Sequence, residues 1–274
     1  MCYFLIVLGF WFLMIPAPQV QAAQPLETET ARLLEAGTLR VETTFEFQTS
    51  SQGQEYLFPL AFTYGLRNDL ELVVEPVVFS LIRPKGGERV HGFGDTEITL
   101  IYRFFDETPM IPALAIAGEV KIPTTHNKAI GTGEVDFGPT LVASKQFGKL
   151  DTHLNIGYFV LGNPSGVKLK NIVTYAAAAV YHLNEKIDLV GEVIGNTSSS
   201  PRIEGPEGTG TAALLRAQET GGENNLVPEA TGGEVSGMLG ARYYLQPNLV
   251  VSLGVTYDNS NAVLIRPGLT YLFH

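Results

Sequence analysis

The sequence predicts an all-β fold: a closed antiparallel up-and-down transmembrane β-barrel of about twelve strands, with short periplasmic turns and longer extracellular loops. Three observations predict it. Stretches of alternating apolar and polar residues recur to the C-terminus, an apolar run of export type stands at the N-terminus, and the connections alternate between tight and long. A period of two marks an extended strand whose faces meet different media.

The N-terminal run Tyr3–Pro16 is apolar or aromatic throughout and too short to span a bilayer comfortably. Val20, Gln21, Ala22 and Ala23 offer small residues for cleavage, so residues 1–23 are expected to be a signal peptide, although no Lys or Arg precedes the run. The single cysteine, Cys2, falls inside it, which leaves the mature chain without disulfides or cysteine metal ligands. Leu26–Ala36 has helical character, with Leu33 and Leu34 apolar and Gly37 suited to a C-terminal cap. Residues 24–36 are therefore expected to be a short periplasmic segment against the barrel mouth, and residues 37–274 the barrel.

The first strand, Gly37–Thr49, shows the alternation best. Leu39, Val41, Thr43, Phe45 and Phe47 fall on one side, and Arg40, Glu42, Thr44, Glu46 and Gln48 on the other. The second is Glu55–Leu66. The third, Leu70–Phe79, follows the turn Arg67-Asn68-Asp69, and the fourth is Gly94–Phe105. Ile111–Ile122 follows a turn around Pro109. Asp136–Phe147 and Asp151–Val160 flank Gly148-Lys149-Leu150. Ile172–Leu183 and Ile187–Asn196 flank Asn184-Glu185-Lys186, and Glu234–Leu245 and Leu249–Tyr257 flank Gln246-Pro247-Asn248. Val263–Phe273 is last. The connections Leu81–Phe93, Pro123–Val135, Leu161–Asn171 and Thr197–Gly233 are long and rich in Gly, Pro and Ser, while Ser50–Gln54 and Asp258–Ala262 on the same rim are brief. Thr197–Gly233 is too long for a passive connector and is expected to be disordered or to cap the pore in part.

Strand number decides which face looks outward. Eight strands leave an interior that side chains can fill, whereas twelve leave too much room for an apolar core. The polar face is therefore expected inside and the apolar face against lipid. Aromatic residues agree: Tyr64, Tyr102, Phe104, Phe147, Tyr181, Tyr243, Tyr271 and Phe273 gather near the tight-turn rim, and Phe45, Phe47, Tyr56, Phe58, Phe137, Tyr158 and Tyr257 near the other. The bilayer is thus an expected partner. The chain ends Leu269-Thr270-Tyr271-Leu272-Phe273-His274, similar to the terminal signal read by the outer-membrane barrel assembly machinery, with His274 as a departure.

Several phrases carry a further resemblance. They are Gly92-Phe93-Gly94-Asp95, Gly118-Glu119-Val120-Lys121-Ile122-Pro123-Thr124, Gly131-Thr132-Gly133-Glu134-Val135-Asp136-Phe137-Gly138-Pro139, Asn155-Ile156-Gly157-Tyr158, Gly191-Glu192-Val193-Ile194-Gly195-Asn196-Thr197 and Arg266-Pro267-Gly268. Together they resemble the family of outer-membrane transporters labelled "MetA-pathway of phenol degradation", from about Gly37 to the C-terminus. The resemblance implies an outer-membrane barrel that carries small, often aromatic, molecules.

The inward face is expected to hold the acids Glu42, Glu46, Glu71, Glu75, Asp95, Glu97, Glu119, Asp136, Asp188, Glu192 and Glu234. Its bases are Arg40, Arg103, Lys121, Arg242 and Arg266, with His153 and His182 near the tight-turn rim. Neighbouring strands suggest ion pairs of Arg103 with Glu71 or Glu75, Lys121 with Glu97, Arg242 with Glu192 or Asp188, and Arg266 with Glu42 or Glu46. Either these pairs brace the wall, or Glu42, Glu46, Glu71, Glu75, Glu97, Arg103, Glu119, Lys121, Glu192, Arg242 and Arg266 line the lumen and its constriction, where an acid excess favours neutral or cationic solutes.

Other classes fare worse. A net charge of −10 disfavours nucleic acid, since phosphate binding needs a basic face. No Gly-x-Ser-x-Gly elbow occurs, and Ser144 and Ser252 face inward rather than toward lipid, so a hydrolase is not expected. His91 and His126 lack ligand spacing, and Gly131-Thr132-Gly133-Glu134 lacks the lysine of a phosphate loop. No cofactor or metal is expected. The expected function is passive passage of a small-molecule solute, and the alternative is a closed structural or surface-binding barrel.

Overall fold

A computed structural model describes residues 23–127, 129–164, 168–199 and 233–273. The expected signal peptide, apart from Ala23, and residues 200–232 of the Thr197–Gly233 connection lie outside the described residues.

Fourteen strand segments form one sheet: β1 (Leu39–Thr44), β2 (Glu46–Thr49), β3 (Gly53–Arg67), β4 (Leu70–Pro84), β5 (Val90–Gly92), β6 (Thr96–Phe105), β7 (Ala113–Ile122), β8 (Asp136–Phe147), β9 (Leu150–Phe159), β10 (Ile172–Asn184), β11 (Ile187–Asn196), β12 (Val235–Gln246), β13 (Leu249–Asp258) and β14 (Val263–Phe273). Two of the breaks are interruptions within a strand. Between β1 and β2, Phe45 still donates its N–H to Pro267 O, and between β5 and β6, Gly94 and Asp95 exchange backbone bonds with Val77. The wall is therefore twelve antiparallel strands. β14 closes it by pairing with β1 (Leu39 opposite Phe273, Glu42 opposite Thr270) and with β2 (Thr49 opposite Val263). Closure removes every free edge, the only way a sheet can satisfy its backbone in hydrocarbon.

Burial follows the period of two. On β6, Thr99 and Ile101 are 2% and 0% exposed, while Leu100 and Tyr102 between them are 44% and 41% exposed. The large exposed side chains around the wall are apolar or aromatic, and the buried set includes Arg40, Glu42, Glu71, Asp188, Glu192, Arg242 and Arg266. This is inverted relative to a soluble domain and right for an outer surface that meets lipid.

The observed strands follow the alternation closely, with one systematic difference. β3 and β4 run longer than Glu55–Leu66 and Leu70–Phe79, because their pairing continues to Gly53 opposite Pro84. Their ladder shifts register between Phe58 and Pro59, where β4 carries an extra residue, a bulge beside a residue that has no N–H to give.

The N-terminal segment departs further from expectation. Leu26–Ala36 is not helical, and no helix occurs among the described residues. Gly37 does take a left-handed conformation (φ 85°), but it ends an irregular coil rather than a helix. That coil, residues 23–38, lies among the inward-facing side chains of the wall.

Candidate functional site

The coil avoids a helix because the wall satisfies its backbone. Helix formation would pair each N–H with a carbonyl four residues earlier; here carboxylates and a hydroxyl take them instead. Glu42 Oε1 accepts the N–H groups of Ala23 and Gln24, at 3.1 and 3.3 Å. Glu192 accepts those of Glu27 and Thr28, together with the Thr28 hydroxyl. Ser144 Oγ accepts the N–H of Ala31 at 2.9 Å, and Glu71 accepts that of Leu34 at 2.8 Å. Charge-assisted bonds of this kind are about twice as strong as neutral ones.

Arginines of the wall hold the opposite poles of the same peptides. Arg242 donates to the carbonyls of Ala23 and Gln24, both at 2.7 Å, Arg266 to Pro25 O at 3.3 Å, and Arg103 to Ala31 O at 3.3 Å. The segment returns one cation of its own. Arg32 bonds Asp151 at 3.0 and 3.2 Å and also pairs with Glu107, which Lys145 meets at 2.9 Å. Against a desolvation that would raise it, hydrogen bonds from Lys145 and Arg32 hold the Glu107 carboxyl down to about 2. This tie is fully formed above the ordinary carboxylate range and weakens only as pH falls toward that value.

Apolar fit supplements the polar one. Three small apolar patches line the inner wall, and each receives residues of the segment. Leu26 joins Ala178, Val180, Val190 and Met238; Ala31 and Leu33 join a group that includes Val73, Ile101 and Val142; Leu34 joins Tyr244, Val250 and Leu272. Pro25 sits over Gly240 and Gly254, which face each other across β12 and β13. A Cβ on Gly254 would stand 2.9 Å from Pro25 Cβ and 3.3 Å from Met238 Sδ, so the missing side chain makes the notch. Gly254→Ile should therefore dislodge the segment while leaving the wall closed. Trypsin added to the folded barrel should then cut after Arg32, a bond that the unaltered protein protects.

The residues picked out from sequence divide into two groups. Glu42, Glu71, Glu192, Arg103, Arg242 and Arg266 all bind the segment. Glu75, Glu97, Glu119 and Lys121 lie together on β4, β6 and β7, with Glu75 opposite Glu97 and Glu97 opposite Lys121. Glu46 stands apart on β2 and pairs with Arg266 at 2.8 Å.

That last pair is the one expected ion pair to form. Lys121 pairs with Asp136 rather than Glu97, Arg103 with Asp106 at 2.8 Å rather than Glu71 or Glu75, and Arg242 turns to carbonyls rather than to Glu192 or Asp188. The coil accounts for Arg242, whose guanidinium its carbonyls take; Lys121 and Arg103 find nearer acids on the next strand and in the adjoining turn. Arg32, Glu29, Glu27 and Glu107 were missed because no strand-to-strand argument contains the coil. For the first three the only sequence signal is the polar run Glu27–Arg32, too polar for the stripe of a packed helix, and Glu107 stands in a turn that gives none.

The fit is incomplete. A cavity of 310 Å³ remains beside the segment, lined in part by Glu29, Arg40, Glu71, His153, Arg242 and Tyr244. A second, of 210 Å³, lies toward the long-loop rim beside Glu27, Glu46 and Arg266. Two side-chain clusters near the first resemble catalytic sets. Ser144 Oγ is 2.9 Å from His153 Nδ1, and Asp188 joins His182 at 2.8 Å and the Tyr244 hydroxyl at 2.7 Å. Ser144 is fully buried beneath Ala31, and Asp151 lies 3.8 Å from the far nitrogen of His153. The hydroxyl is thus engaged as an acceptor for the segment, without the access that a nucleophile requires.

A family model described as "Putative MetA-pathway of phenol degradation" matches residues 22–213. Among solved structures, the COG4313 outer membrane channel from Pseudomonas putida F1 is similar with a TM-score of 0.65 at 11% identity, over 89% of this chain and 98% of that one. The NanC porin gives 0.56 at 10% identity over 84% and 98%. The KdgM porin in complex with disordered oligogalacturonate gives 0.54 at 11% over 86% and 99%. At such identities the likeness is one of fold. No curated protein matches the sequence.

Proposed function

Because this chain belongs to the family described as "Putative MetA-pathway of phenol degradation", we propose that it is an outer-membrane channel for the passive passage of small molecules, closed at rest by residues 23–38. The observation that carries this reading is a closed barrel whose interior is polar and whose lumen is occupied by a coil held through reversible bonds. A barrel built only as a wall would need no such detachable filling. A solute passes when the coil withdraws or shifts, and Glu42, Glu46, Glu71, Glu192, Arg103, Arg242 and Arg266 then line the path.

The narrow, selective part of that path is Glu75, Glu97, Glu119 and Lys121. Three carboxylates face one ammonium there, and Asp136 already pairs with the ammonium. The surplus favours neutral or cationic solutes over anions, and the family's label fits small aromatic ones. In planar bilayers the protein should be cation-selective, and Glu75→Gln with Glu97→Gln and Glu119→Gln should move the reversal potential toward zero. Anion-selective currents from the unaltered protein would contradict the assignment.

The tightness of the coil favours a second reading, a closed barrel whose role is structural or surface binding. Liposome swelling separates the two: a channel admits small neutral solutes, and a sealed wall does not.

A further inference from the structure

We infer that the outer face of β4 and the connection that follows it bind a phosphate of the glycolipid in the outer leaflet. β4 carries Arg83 on its lipid-facing side, opposite Gln54 and two residues beyond the level of Tyr56 and Leu81. The Arg83 guanidinium lies over the Tyr56 ring, 5.0 Å from its centroid, and Tyr56 packs on Phe47 and Phe45. Rings at this depth mark the interface between hydrocarbon and head groups, so Arg83 stands where the head groups begin.

Arg83 Nε is buried and has no hydrogen-bond partner among the described residues, an expensive state for a charged donor. The neighbouring chain adds cations. β5 pairs with β4 as Ile82 opposite Val90 and Leu81 opposite His91, and Arg83 and Arg89 are the next residues beyond the pair of Ile82 and Val90 on each side. Lys85 and Arg89 are exposed, with Glu88 as the single acid of the connection. Clustered like charges repel, and here Arg83, Lys85 and Arg89 gather on one connection of a protein of net charge −10. A phosphate bound by the outer N–H groups of Arg83 and by Arg89 would set a counter-charge beside the two guanidiniums. Arg is the side chain suited to it, through its planar fork of donors.

The occupant is a phosphorylated glycolipid rather than free phosphate, because the site opens sideways onto the aromatic belt, where acyl chains lie alongside Phe58 and Phe79. Two lipid-facing side chains of this kind, both exposed, sit directly opposite each other below Tyr56.

The test uses the full chain, folded in detergent, and native mass spectrometry with bisphosphorylated lipid A as probe. The double variant Arg83→Gln with Arg89→Gln should bind it about tenfold more weakly, the loss expected for removing a charged hydrogen bond. Lipid A stripped of both phosphates should bind the two proteins equally, and inorganic phosphate in large excess should not displace the lipid. Equal binding of bisphosphorylated lipid A by both proteins would overturn the proposal. So would displacement by inorganic phosphate alone, which would identify a free-anion site. Heat-modifiable electrophoretic mobility shows that the variant is a closed barrel, so that a loss of binding is not a loss of fold.

Discussion

Deleting residues 24–36 should raise single-channel conductance several-fold while leaving a closed, heat-modifiable barrel. The wall does not depend on the coil for its own backbone bonds, since every strand pairs with two neighbours and β14 closes on β1 and β2. What the coil supplies is filling. It bonds Glu42, Glu71 and Glu192 through its N–H groups and Arg103, Arg242 and Arg266 through its carbonyls. Once it is gone, these six ionisable groups lose their bonds to it, while Glu42, Arg103 and Arg266 keep their ion pairs with Arg40, Asp106 and Glu46, a loss that would be ruinous in a dry core. In a lumen of twelve-strand width, water replaces the coil and hydrates them. Stability should therefore fall modestly while the path widens. A deletion variant that conducts no better than the full chain would show that the coil is not what closes the lumen, and the wall-protein reading would replace the channel.

The wall was legible in the sequence and its filling was not, for identifiable reasons. Asp136–Phe147, Ile187–Asn196 and Val263–Phe273 coincide with β8, β11 and β14 to the residue, because each is a clean alternation bounded by turn formers. Lipid outside and polar groups inside make every residue of such a strand report its face. The coil has no period, and the groups that hold it are far away in sequence: Thr28 is 164 residues from Glu192, and Gln24 218 from Arg242. Helix propensity filled the gap and pointed wrongly at Leu26–Ala36, since propensity is a weak prior that tertiary partners override. The ion pairs failed for a related reason. Lys121 has Glu97 on one neighbouring strand and Asp136 on the other, both at its own level, and alternation alone cannot choose between them.

Closure should also depend on pH, through Glu29. Its side chain reaches into the interior from the coil, where desolvation, and then the charges of Glu75, Glu71 and Glu119, push its pKa from 4.5 up to about 8. When the coil withdraws, the carboxyl meets water and returns toward the lower value. The seated state therefore binds a proton that the withdrawn state gives up, so seating is favoured at low pH and weakens as pH rises between those two values, by up to about tenfold per unit. Above about 8 the trend should flatten, because Glu29 is ionised in both states. Open probability in a planar bilayer should accordingly climb from mildly acidic to mildly alkaline buffer. Glu29→Gln, neutral throughout, should hold the channel shut across that range and remove most of the slope. Any slope left in the variant belongs to the carboxylates of the wall. A variant that opens along the same pH curve as the unaltered protein would place the sensing group elsewhere. The coil would then close the lumen by shape, through Pro25 in its notch and Leu26, Leu33 and Leu34 on their apolar patches, with charge as a bystander.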